Sequence, residues 1–218
     1  MNHEDLSSFV EHQLINIFNY SDCKDKILAY QTAVMSKLKK CFIHVANNCF
    51  SNNGEITFSP FHSSQYSIYL YFLSNIIYKN EGENPLSERL YLLNKALHSV
   101  DWFYPIELPD IFVCEHPVGS VLGRAIYSNY FCVFQNCTVG GNMNKYPKIG
   151  EYVTLCAGSM IIGDCDIGNN VIVSAGTLIL NQNIPDNSIV FGRPRDIVIK
   201  KKSREEIKEL LRDMKIWK

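Results

Sequence analysis

The chain lacks an excess of charge of either sign. Its 21 Lys and Arg face 22 Asp and Glu, a formal net charge of -1 over 218 residues, so no basic field draws it to nucleic acid or to an anionic membrane. A long apolar run is missing too: "YSIYLYFLSNIIY" at 66–78 is broken by Ser and Asn and falls short of a membrane span. The beginning, MNHEDLSSFVEHQ, has acids where a signal peptide needs a basic segment and an apolar one. A cytoplasmic protein with a small or neutral partner is expected. Eight cysteines form no C-x-x-C pair and match no zinc spacing. They read as small, reduced packing residues, and no metal site is expected.

What is present falls into two rhythms. Up to about residue 100 the apolar spacing is helical. Leu6, Val10, Leu14, Ile17 and Phe18 form one stripe, and Ile27, Val34, Leu38, Phe42 and Val45 a second. After a break at "SNNGEITFSP", Tyr66, Tyr69, Leu70, Leu73 and Ile77 give a third, and Leu86, Leu90, Leu93 and Leu97 a fourth, with Ser87 and Glu88 suited to its start. Beyond Asp101 helical spacing disappears and β-branched residues gather in short runs. Ile149, Leu155, Ile161, Ile167, Val173 and Ile179 stand six apart without a miss. With aliphatics at about a quarter of positions, that arises by chance roughly once in four thousand trials per register.

Four residues after each aliphatic come Val153, Ser159, Cys165, Val171, Thr177 and Asn183, mostly small, as a narrow interior requires. Paired inward positions at a six-residue period build a β-helix, each hexad forming one flat side and three making a turn. The register extends upstream through Tyr127, Val133 and Val139 and breaks at "GGNMNKYPK", which is expected to project as a loop. The expected organisation is an all-α domain over 1–100, a parallel β-helix over 101–199, and a C-terminal helix over 200–218 carrying Ile207, Leu210, Leu211 and Met214.

The segments "EHPVGSVLGRA", "QNCTVGG", "YPKIG", "LCAGSMIIG", "VSAGT" and "IPDNSIVFGRPRDIVIK" occur in that order. From about Asp101 to Ile199 the chain thereby resembles the serine O-acetyltransferases and related sugar O-acetyltransferases of the hexapeptide-repeat, left-handed β-helix class. The resemblance implies acetyl transfer from acetyl-CoA to a hydroxyl, with His116, which follows Glu115, as general base. An alcohol must lose its proton as it attacks a thioester, and an imidazole is suited to take it. The family's partner aspartate precedes its histidine by fifteen residues, the spacing of Asp101; Glu107 and Asp110 are fallback candidates for orienting His116.

The resemblance also places pantetheine against backbone amides at Gly141, Ala157 and Ala175, with the Gly141 N–H suited to an oxyanion. It brings Arg193, Arg195 and Lys200 to Lys202 toward the CoA phosphates; Asp196 stands where the family usually has a basic residue. Serine acetyltransferases carry Arg and His directly before "PKIG" and Asp before the catalytic histidine. Here Lys145, Tyr146 and Glu115 stand instead. Lysine lacks the bidentate fork of arginine, and a tyrosine face suits a sugar ring. The expected acceptor is therefore a sugar of a surface polysaccharide, with L-serine, feeding cysteine synthesis, as the alternative.

Two other classes compete. A β-helix metalloenzyme needs several histidines converging on zinc, and none follows His116. A non-catalytic scaffold would show the same hexads. The class buries its flat sides in three-fold assemblies, so a homotrimer is expected, with the N-terminal helices able to join two trimers.

Overall fold

The computed structural model describes all residues but Asn53. Four helices come first: α1 (His3–Phe18), α2 (Lys24–Phe42), α3 (Ser63–Glu81) and α4 (Pro85–His98). Their starts follow ordinary capping chemistry. The Asn2 side chain accepts from the Asp5 N–H, and Asn84 accepts from Ser87, with Pro85 in the first helical position. Asn84 is thus the cap of α4, and Ser87 lies one turn inside it. The apolar stripes face inward, except that Ile17 and Leu97 are exposed at helix ends. The region is not purely helical: β1 (Ser51–Asn52) and β2 (Glu55–Ile56) pair antiparallel in the break between α2 and α3.

The rest winds as a parallel solenoid of about four turns. Its first turn holds β3 (Phe112–Cys114), β4 (Val121–Leu122) and β5 (Ile126–Tyr127). The second holds β6 (Phe131–Val133), β7 (Thr138–Gly140) and β8 (Lys148–Ile149), the third β9 (Val153–Leu155), β10 (Met160–Ile162) and β11 (Asp166–Ile167). Above them lie β12 (Val171–Val173), β13 (Leu178–Leu180) and β14 (Ser188–Phe191), closed by β15 (Val198–Lys201), which turns back antiparallel, and by α5 (Arg204–Asp213). Each face stacks one strand per turn: β3-β6-β9-β12-β14, β4-β7-β10-β13 and β5-β8-β11.

All six aliphatics of the hexad series are at most 2% exposed. Fully burying each contributes about 1.5–3 kcal/mol, so the column is the principal source of solenoid stability. Val153, Ser159, Cys165, Val171 and Thr177 fill the second inward position, whereas Asn183 lies outside, accepting from the Asp166 N–H. The "GGNMNKYPK" interruption projects as a tight hairpin, with Asn142 and Lys145 exchanging backbone hydrogen bonds and Met143 89% exposed. Six of the eight cysteines are buried; Cys49 is exposed and Cys156 half-buried.

The helices sit on the first turn of the solenoid. The Cys41 thiol donates to the Phe112 carbonyl at 2.8 Å, and the Tyr71 hydroxyl donates to the Ile106 carbonyl while accepting from the Leu108 N–H. Lys37 and Lys40 both bind Asp110 at 2.7 Å and together hold its carboxyl down at about 2. A depressed folded pKa stabilises the fold above the unfolded value of about 4 and loses that contribution as pH falls toward about 2. These pairs are partly solvated, so Asp110→Asn is expected to cost less than about 1 kcal/mol at neutral pH. In acid titrations followed by circular dichroism, variant and parent should converge near pH 2.

The C-terminus returns to the helical region. Ala46 donates to the Ile216 carbonyl and Lys218 to that of His44, and Trp217 packs edge-on against Tyr130. In α5 only Ile207 and Leu211 are buried; Leu210 and Met214 are more than a third exposed. A single stripe suffices for a ten-residue helix lying on one surface.

Candidate active site

His116 lies on the edge between the face begun by β3 and the face begun by β4. In the later turns that edge is crossed by four residues, 134–137, 156–159 and 174–177, but in the first turn by six, 115–120. The two additional residues push the backbone outward, and His116 is exposed there with φ 54°. Histidine is among the residues that tolerate this left-handed conformation. The bulge is anchored from inside. Pro117 is buried, its carbonyl accepts from both the Ser120 N–H and hydroxyl, and the Trp102 indole donates to that hydroxyl at 3.1 Å. Gly119 has φ 73°, and a Cβ there would lie 2.2 Å from the Asn136 side-chain oxygen.

The carboxylates around this bulge are in unlike states. Asp101 accepts from Tyr91 at 2.7 Å on one oxygen and from Lys95 at 2.6 Å on the other. Burial works against its charge, but Lys95 and Tyr91 outweigh that and hold the carboxyl below its ordinary value. Its backbone N–H donates to the Ser120 carbonyl, so Asp101 is tied to the His116 bulge by main chain, and its side chain turns to α4. Each carboxylate oxygen has a second lone pair, so Asp101 retains acceptor capacity. Glu107 pairs with Lys79 and Asp110 with Lys37 and Lys40, which engages both fallback carboxylates elsewhere.

Glu115 differs. Burial pushes its carboxyl above the usual range, and the nearby Asn47, His116 and His62 side chains offset part of that rise. Asn47 and His62 come from the segment joining α2 to α3, and the sequence alone gave no sign that they reach this corner.

Along the same edge, above His116, lie Gln135, Ala157 and Ala175, one per turn and about 4.8 Å apart. The main chain at Phe191 and Gly192 stacks on the last of these turns, with Gly192 accepting from Leu178, so Arg193 and Arg195 stand at the far end. The N–H groups of Ala157 and Ala175 donate to no acceptor among the described residues, and a Cβ on Gly176 would meet nothing within 4 Å. Above Gln135 the edge is thus a rail of small residues with unused donors, and it runs between an imidazole and two guanidinium groups. That set of donors and cations fits an extended amide-containing chain ending in phosphates.

Gly141, Lys145 and Tyr146 lie at the next edge of the prism, after β7. The Gly141 N–H is likewise unused among the described residues, and the Tyr146 ring lies over this glycine, 2.6 Å from where a Cβ would be. Lys145 is 4.0 Å from Asp164. One chain therefore brings together His116, Glu115, Ala157, Ala175 and the arginines, and holds Gly141, Lys145 and Tyr146 apart from them. No helix among the described residues is long and apolar enough to cross a membrane.

Residues 146–181 match the family model for the bacterial transferase hexapeptide (six repeats). A serine acetyltransferase of Buchnera aphidicola is 25% identical over 91% of this chain and 86% of its own length. Other curated relatives are spanned to about half their length or less, as with 38% of serine acetyltransferase 2 of Arabidopsis thaliana. Among solved structures, the serine acetyltransferase of Neisseria gonorrhoeae superposes with a TM-score of 0.75 at 19% identity, covering 96% of this chain and 84% of that one. A serine acetyltransferase in complex with CoA gives 0.73 at 20% identity, covering 92% and 86%. By repeat and fold the chain is similar to the hexapeptide-repeat acyltransferases, and within that class to those of the serine O-acetyltransferase type. The expected polysaccharide acceptor finds no support in these likenesses; the relatives are serine acetyltransferases, which favours the serine alternative.

Proposed function

We propose that the protein transfers an acetyl group from acetyl-CoA to the hydroxyl of L-serine, with His116 as the general base. The observation that carries this reading is the exposed imidazole on the one over-long corner, at the head of a rail of small residues with unused amide donors. His116 takes the hydroxyl proton as the oxygen attacks, so no covalent bond to the protein is needed. Ala157 and Ala175 supply N–H groups for the pantetheine amides, and Arg193 and Arg195 supply charge for the phosphates. Asp101, fixed to the bulge by main chain, is the proposed orienting carboxylate. Glu115 faces the acceptor.

A second copy completes the site in this reading. Gly141, Lys145 and Tyr146 stand one edge away from His116, where a neighbour packed around a three-fold axis presents them to the next chain's rail. Val121, Ile126, Tyr146 and Leu180 are exposed apolar or aromatic side chains on the flanks that such packing covers. A homotrimer is expected by sedimentation, and a stable, active monomer would contradict it. The acceptor is tested with purified protein, acetyl-CoA and either L-serine or neutral sugars, following release of free thiol. Serine-dependent release supports the reading; release only with sugars overturns it.

A further inference from the structure

A cavity lies at the third edge of the prism, on which neither His116 nor Gly141 stands. Residues 150–152 turn that edge between β8 and β9. Tyr152 stacks there on Tyr130, with ring centroids 4.2 Å apart and planes 6° from parallel. Between this stack, α5 and the C-terminus is a cavity of about 160 Å³, lined by Tyr152, Lys208, Leu211, Arg212, Trp217 and Lys218. It has room for a small molecule rather than a single water, and no lining side chain is acidic.

Its walls are of two kinds. Leu211 and Trp217 are buried, whereas Lys208, Arg212 and Lys218 are exposed. Lys208 and Arg212 stand one turn apart on the same face of α5. Neither makes an ion pair among the described residues; the pair at this helix joins Lys202 to Glu206. Lys218 donates to the Ser51 hydroxyl at 2.8 Å, which leaves two of its three ammonium donors. The Trp217 side chain is 3% exposed, and its Nε1 is buried with no acceptor among the described residues. An unmet donor in a buried wall favours a ligand that brings an acceptor, and cations gathered without a carboxylate favour an anion. The neighbouring cavity, which shares Tyr152, holds Arg204 together with Glu151 and Asp186, so the preference for an anion is confined to the Trp217 end.

We propose that this cavity binds a small organic anion, its carboxylate or phosphate held by Lys208 and Arg212 and its apolar body seated on Leu211, Tyr152 and Trp217. Arginine gives a planar fork for such a group and lysine a point charge beside it. The site is separate from acetyl transfer, since none of its residues belongs to the rail or to the His116 corner. Trp217 forms a backbone bridge with Val45, and the Lys218 N–H donates to the His44 carbonyl. A bound anion therefore ties α5 and the C-terminus to the segment after α2 and to the solenoid, and it raises the unfolding temperature.

The test is fluorine NMR of the protein labelled with 5-fluorotryptophan, titrated at constant ionic strength with benzoate, phenyl phosphate and neutral benzamide. The chain has two tryptophans. Trp102, whose Nε1 donates to Ser120, is the internal control, and Trp217→Phe assigns the signals. Benzoate or phenyl phosphate is expected to shift the Trp217 signal and leave that of Trp102 in place, with a dissociation constant about tenfold or more below that of benzamide. The tighter of the two identifies the anionic group. Lys208→Gln combined with Arg212→Gln should weaken that binding about tenfold or more, whereas Lys215→Gln, outside the cavity, should not. All three side chains are exposed, so the variants keep the fold. The inference is overturned by no shift at Trp217 with either anion, by equal shifts at both tryptophans, or by benzamide binding as tightly as the anions. Unchanged affinity in the double variant, or an equal loss in Lys215→Gln, overturns it as well.

Discussion

Replacing His116 by Ala is expected to lower kcat for acetyl transfer by about 10²- to 10⁴-fold, the usual contribution of a positioned general base. KM for acetyl-CoA should hardly change, because the rail at Ala157 and Ala175 does not depend on the imidazole. The fold should survive too: His116 is exposed, and the bulge is held by Pro117, Ser120 and Trp102. Loss of turnover with retained CoA binding separates an enzyme from a scaffold, since a scaffold would lose nothing measurable. Asp101→Asn is informative beside it. If Asp101 orients the imidazole, kcat falls while KM holds; if its contacts with Lys95 and Tyr91 are its whole role, only stability changes.

The second large effect lies in the interior. Leu155→Ala is expected to destabilise the fold by about 2–5 kcal/mol. Leu155 is fully buried in β9, with Val133 below it and Val173 above, both equally buried. The solenoid cannot collapse around the missing methyl groups, because the turns are fixed at the strand spacing of about 4.8 Å by backbone hydrogen bonds. Thermal unfolding at one fixed protein concentration is the measurement, since assembly makes the midpoint concentration-dependent. A change below about 0.5 kcal/mol would show that the hexad column does not carry the stability assigned to it.

How much of this was legible beforehand can be judged residue by residue. The hexads from Ile149 to Ile179 could be read because a prism with one inward aliphatic per side repeats with a fixed period, and every one of those six side chains is buried. The helical stripes were legible for a similar reason, although Ile17 and Leu97 kept the period and still face solvent, since periodicity does not tell where a packed surface ends. The bulge at 115–120 was hidden. A departure of two residues is visible only once Cys114 is registered against Val133 and Val121 against Thr138.

His62 and Asn47 were hidden more deeply. They lie 54 and 69 residues before His116 in the chain, in the segment between α2 and α3, and only tertiary packing brings them near Glu115. Gly150 shows the same limit: a Cβ there would lie 2.7 Å from the Gly168 carbonyl, a contact between turns that no local pattern announces. The preference for a sugar acceptor, drawn from Lys145 and Tyr146 one residue at a time, finds no support in the relatives, which are serine acetyltransferases.

The proposed chemistry depends on the rail that begins at His116. Its most direct test is a crystal structure of the assembled protein with CoA. The sulfur is expected within hydrogen-bonding reach of the His116 imidazole, the pantetheine amides on the Ala157 and Ala175 N–H groups, and the phosphates toward Arg193 and Arg195. A CoA molecule bound along another edge of the prism, with its sulfur remote from residue 116, would contradict the proposed chemistry.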